Sequence, residues 1–75
     1  MDRTEFLTNF AEQFEDTASS EIHFDTHFHK LEEWSSLIGM MLIAMAKVNY
    51  NKVISGEELK KCVTVEDVYN LITNK

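Results

Sequence analysis

The sequence predicts a single all-α domain over residues 1–75, and three observations carry that expectation. Proline is absent and only two glycines occur, Gly39 and Gly56, so little interrupts long helices. Phe6, Phe10 and Phe14 recur every four residues, the spacing of one face of a helix. Asp2, Ser55 and Thr64 are each followed three residues later by an acid (Glu5, Glu58 and Asp67), which is the pattern of a helix start. The apolar fraction of 44 % is ordinary for a globular chain. A chain this short buries only about 60 % of its unfolded surface, so its core has to be efficient.

The first helix is expected over residues 2–16, DRTEFLTNFAEQFED, with Asp2 as its cap and the phenylalanine stripe, flanked by Leu7, as core. The small polar run TASSE (17–21) ends it. Residues 22–31, IHFDTHFHKL, alternate apolar and polar, as a short strand would. No second strand is visible to pair with it, so an ordered loop anchored by Ile22, Phe24, Phe28 and Leu31 is expected instead. The second helix is expected to start at the Ser35–Ser36 pair and to run to about Tyr50. NYNK (49–52) stops it, because Asn tolerates left-handed backbone. A short helix over 55–60 follows. A final one, opened by Thr64 and carrying Val65, Val68, Leu71 and Ile72, completes a four-helix arrangement with a long loop between helices one and two.

On the second helix, at about 100° per residue, Leu42, Ile43, Ala46 and Tyr50 cluster on one side with Gly39 between them. Leu37, Met40, Met41, Ala44 and Val48 cluster on the other. Both sides are apolar, so periodicity alone leaves open which one faces inward.

Charge narrows the function classes. The net charge of −6 argues against nucleic acid, whose phosphates want a basic surface. The charge is uneven: residues 1–33 hold nine acids against Arg3 and Lys30, whereas residues 34–75 carry +1. Trp34 to Gly56 contains no acid at all. The longest apolar run, Leu37 to Ala46, is too short for a membrane span and reads as a core helix. No basic N-terminal region leads into an apolar stretch, so no signal peptide is expected. Cys62 is the single cysteine, which suits a reducing cytoplasm. Beside Lys60 and Lys61 it is either a lowered-pKa nucleophile or a small buried hydrophobe, and the second is the commoner role.

The segment FHKLEEWSSL (28–37) resembles the attachment-site motif of acyl carrier proteins, through Phe28, Leu31, Glu33, Trp34, Ser36 and Leu37. That family often reads F-x-x-L-x-E-W-D-S-L there. GEELKKCVTVEDVYNLI (56–72) is similar to its third and fourth helices, so the likeness covers nearly the whole chain. The resemblance implies a monomeric four-helix bundle carrying a 4′-phosphopantetheine arm, taken from CoA, on Ser36, with an acyl group held as a thioester. The work implied is fatty-acid, polyketide or related acyl transfer, with no catalysis by the domain itself. Its partners would be a phosphopantetheinyl transferase and acyl-transferring or synthase enzymes. A helix N-terminus suits the phosphodiester, because its unpaired N–H groups and partial positive charge favour an anion.

Two departures qualify the likeness. Ser35 stands where the family has an aspartate that helps the transferase hold magnesium and CoA. A serine still caps the helix but supplies no charge, so modification is expected to be slower, to need a dedicated transferase, or to fail. On the second helix, the resemblance turns the Leu42 side inward and the Leu37 side toward partners. Trp34, Leu37, Ile38, Met40, Met41, Ala44, Lys47 and Val48 are then the partner-facing candidates, and none is acidic. The partners implied present an apolar or acidic surface rather than a basic one. Phe28, Ile43, Ala46, Cys62 and Val68 are the expected lining of an acyl-chain pocket.

The residues leave two other classes open. His23, Asp25, His27 and His29 would share one side of an extended segment and suit zinc, although such clusters also occur in solvated loops and no metal is expected. A carrier-like module that has lost efficient modification through Ser35 would instead act only by binding proteins.

Overall fold

Each of the four helices starts where a side chain accepts an otherwise unpaired backbone N–H. In the computed structural model, which describes residues 1–75, these are α1 (Arg3–Ala11), α2 (Ser36–Tyr50), α3 (Gly56–Lys61) and α4 (Val65–Thr73). Asp2 accepts from the Glu5 N–H at 3.0 Å. Ser55 with Glu58 and Thr64 with Asp67 form complete capping boxes, so both short C-terminal helices are held by reciprocal bonds. α2 ends at Asn51, whose φ of 56° is the left-handed stop. The Lys52 N–H then bonds the Ala46 carbonyl at 3.1 Å, closing the last turn.

The first helix is shorter than the sequence predicts. Regular α structure stops at Ala11 rather than near residue 16. Gln13 and Phe14 donate to Phe10 and Ala11 respectively, bonds of three-residue span that tighten the chain into turns. Phe14 still reaches the core, because a tight turn delivers it as well as a helical one would. No strand forms. Residues 22–31 are an ordered loop that contains a 3₁₀ turn at Phe28–Lys30. That loop is stitched to the start of α4 by Val65 N–H to Thr26 O (3.2 Å) and Glu66 N–H to Phe24 O (2.9 Å). Glu33 ties together the two ends of the longer α1–α2 connection, accepting from the Thr17 hydroxyl at 2.7 Å and the Asp16 N–H at 3.0 Å.

One continuous core joins all the elements. Phe6, Phe10 and Phe28 are fully buried, as are Leu42, Ala46, Val65, Val68 and Ile72. Burying each large side chain contributes roughly 1.5–3 kcal/mol of transfer free energy. Phe6 is the hub: its ring centroid lies 6.0 Å from Phe10, 6.3 Å from Phe24, 6.0 Å from Tyr50 and 5.2 Å from Tyr69. Arg3 covers this aromatic group, with its guanidinium carbon 4.0 Å from the Phe24 ring centre and a two-pronged bond to Glu66. No helix is long and apolar enough to cross a membrane.

Candidate functional site

The serine pair divides into two roles. Ser35 is the N-cap of α2, and its Oγ accepts the Ile38 N–H at 3.4 Å. Ser36 is the first helical residue; it is exposed, and its hydroxyl makes no hydrogen bond within the chain. α2 is also the one helix with no acid in its first turn, whereas Glu5, Glu57 with Glu58, and Glu66 with Asp67 open the others. The partial positive charge at its start is therefore left uncompensated beside a free hydroxyl.

Ser36 is among the residues that line a cleft of about 470 Å³ between α2 and α3. Trp34, Gly39 and Ile43 form one part of its lining, and Leu59 and Lys60 of α3 another. Trp34 is half-buried and sits edge-on to Phe28 (centroids 5.3 Å) and His29 (4.6 Å). His29 in turn donates from Nε2 to the Leu59 carbonyl at 3.2 Å. The loop, the start of α2 and α3 are thus braced together behind the serines. Gly39 leaves room for this packing: a Cβ there would lie 3.4 Å from the Trp34 ring, in ordinary contact.

The outward face of α2 differs in part from the sequence expectation. Leu37, Met40 and Val48 are 64 %, 66 % and 81 % exposed, and Ala44 and Lys47 are exposed with them. Ile38 does not belong to that face. It is buried, with 6 % exposure, because the inward arc of α2 is Ile38, Gly39, Leu42, Met45 and Ala46. Met41 is half-buried against the core, and Trp34 faces the cleft rather than the stripe. Met45, which no sequence argument singled out, is core; only the arc centred on Leu42 reveals it. Lys47 bonds the Asn51 side chain and has no carboxylate partner.

The expected acyl-chain lining is also redistributed. Of its five residues only Ile43 lines the cleft beside Ser36. Phe28, Ala46, Cys62 and Val68 are buried in the packed core behind it. Cys62 is no exposed nucleophile either: burial pushes its thiol above the ordinary range, with Asp67 and Glu58 adding to the shift, and its Sγ donates to the Glu58 carbonyl at 3.5 Å.

The histidine-rich loop does not assemble a metal-ligand set. Turns at residues 24–25 and 28–30 break the alternation that would align His23, Asp25, His27 and His29, and no three His, Cys, Asp or Glu side chains converge. A second hollow, of about 510 Å³, is bordered by Asp16, Glu21, Glu32 and Glu33, but Glu33 is already committed to Thr17 and Asp16. Comparison with protein-family models, with curated proteins and with solved structures gives no match for this chain.

Proposed function

We propose that the chain is an acyl carrier protein, a four-helix bundle of that type, modified on Ser36 with 4′-phosphopantetheine from CoA. The observation that carries this reading is a free, exposed hydroxyl at the one helix start without a carboxylate, beside a cleft. An anionic phosphodiester fits there because the unpaired N–H groups of the first turn would receive it. In the modification, Ser36 Oγ bonds to the β-phosphorus of CoA as the pyrophosphate bridge breaks and 3′,5′-ADP leaves. The hydroxyl proton passes to a base of the transferase. The arm supplies a thiol that holds acyl groups as thioesters; the chain's own residues present it, shelter it and dock on enzymes.

The docking face in this reading is the exposed stripe of Leu37, Met40, Ala44 and Val48, flanked by Lys47. Its partners, the transferase and acyl-transferring enzymes of fatty-acid, polyketide or related pathways, offer an apolar surface with acidic rather than basic groups around it. A reducing cytoplasm suits a protein whose working group is a free thiol.

The test is intact mass after incubation with CoA, magnesium and a broad-specificity phosphopantetheinyl transferase, with Ser36→Ala and Ser35→Ala alongside. The carrier reading expects one added phosphopantetheine on the wild type and on Ser35→Ala, and none on Ser36→Ala. No gain in any form, including with the source organism's own transferases, would leave the unmodified interaction module as the better account.

A further inference from the structure

We infer that the connection between α1 and α2 is a docking surface for a basic protein segment that carries an apolar side chain beside its lysines or arginines. This surface shares no residue with the exposed stripe of α2 and does not depend on modification of Ser36. Residues 4–29 contain no lysine or arginine, and Arg3, just before them, is spent on Glu66. Glu12, Glu15, Asp16, Glu21 and Glu32 are exposed, and none of their carboxylates belongs to an ion pair. The fold does not call for charge of this sign here. α1 ends at Ala11 with no base in its last turn, and Glu12, Glu15 and Asp16 come in the turns that follow. The C-terminal end of a helix carries partial negative charge, so carboxylates gathered there are repelled by the backbone as well as by one another. A cation from outside relieves both.

The acids border a place where an apolar group can seat. A hollow of about 390 Å³ has Leu7, Ala11, Phe14 and Thr17 in its lining. It adjoins the acidic hollow of about 510 Å³, because Thr17 lines both. The 2.7 Å bond from the Thr17 hydroxyl to Glu33 fixes the wall they share. Leu7 is half-buried, which leaves part of its side chain open to an incoming group, and Leu31 adds an apolar edge on the acidic side. Carboxylates alone would attract any cation. An apolar seat next to them selects a cationic segment that also brings an apolar side chain to bury. Opposite charge then steers the approach and fixes the register, while burial of the apolar group holds the complex. The partner's charge is thus opposite to that expected at the lysine-flanked stripe of α2.

The test titrates the full chain, isotopically labelled for amide chemical shifts, with a short lysine-rich peptide that carries one phenylalanine. Two controls replace its phenylalanine by serine or its lysines by glutamate. The lysine–phenylalanine peptide is expected to shift the amides around Leu7, Thr17, Glu21 and Glu32, with an affinity that falls as salt is raised. The serine peptide should bind severalfold more weakly and the glutamate peptide not at all. The triple variant Asp16→Asn, Glu21→Gln, Glu32→Gln removes three unpaired charges, so it should keep or raise Tm and lose affinity severalfold. Several results would overturn the inference. The serine peptide may not bind as tightly as its parent, since that would leave charge alone at work. Shifts centred on α2, full affinity in the triple variant, or no shift at any peptide concentration would each remove this face as a site for a basic segment. Self-association of the chain that the triple variant abolishes would assign the face to the lysines of a second copy instead.

Discussion

The Ser35 hydroxyl meets the Ile38 N–H at 3.4 Å, the longest of the four helix caps; those of Asp2, Ser55 and Thr64 span 3.0, 3.1 and 3.2 Å. α2 is therefore the helix whose start is least well satisfied, and it is the one that carries Ser36. A carboxylate at position 35 would reach the same N–H and add a charge that favours the helix start. Ser35→Asp is expected to stabilise the fold by about 0.3–1 kcal/mol in urea denaturation. In the carrier reading it also speeds phosphopantetheinylation, because it restores an anionic oxygen near the transferase's magnesium.

Acid should unfold the protein through four carboxylates. The Thr17 hydroxyl holds Glu33 below the usual carboxylate range, Lys75 does so for Glu58, and Arg3 for Glu66. Backbone N–H groups of Val63 and Thr64 do the same for Asp67. A carboxylate with a depressed folded pKa stabilises above its unfolded value, about 4, and that contribution is lost as pH falls through the folded value. Tm should be nearly level from about pH 7 to 5 and fall steeply below about pH 4. Asp67→Asn should make that fall shallower.

Gly39→Ala is expected to be stabilising. The position closes the first turn of α2 with ordinary backbone, and the new methyl would touch Trp34 and Leu59 at ordinary contact distance. Helix propensity contributes up to about 1 kcal/mol, the value for a helix interior. A loss of stability in denaturant titration would mean that Trp34 sits closer to α2 than its packing indicates.

Cys62 should resist alkylation in the folded protein. Its side chain is 7 % exposed and its thiolate is disfavoured by burial. Iodoacetamide at mildly alkaline pH should label it at a rate set by unfolding, and labelling should become fast in urea.

Lys47→Glu tests the outward face of α2. It reverses the charge on an exposed helix position whose amine has only the Asn51 side chain as partner. Binding to a cognate acyl-transferring enzyme, measured by titration calorimetry at low salt, should weaken severalfold while Tm changes little. Unchanged binding would remove that stripe as the docking face.

Three of the four helix starts were legible because they are short-range chemistry: an acceptor, three residues, an acid. The left-handed Asn51 stop was legible for the same reason. The end of α1 was not, since Phe10 and Phe14 sit at a helical spacing that tight turns satisfy equally well. Nor, from periodicity alone, was the orientation of α2, where apolar residues run all round. Ile38 and Met45 are buried and Leu37 and Met40 are not, a distinction set by where Phe28, Leu59 and the loop lie. The cleft was hidden for a further reason. Trp34, Gly39 and Leu59 come from three separate elements, and only their approach in space forms its wall.

The neighbours of Phe6 bear on how the protein reaches this state during synthesis. Phe10, Phe24, Tyr50 and Tyr69 are spread along the whole sequence, and Arg3 finds Glu66 sixty-three positions away. Non-local contacts of this kind reward the chain only after the ordering cost has been met. A nascent chain lacking α4 leaves Phe6 and Phe24 without the ring that encloses them. Until Tyr69 has been made, the Phe6–Phe24 hub lacks one of its rings and stays open to non-native contacts.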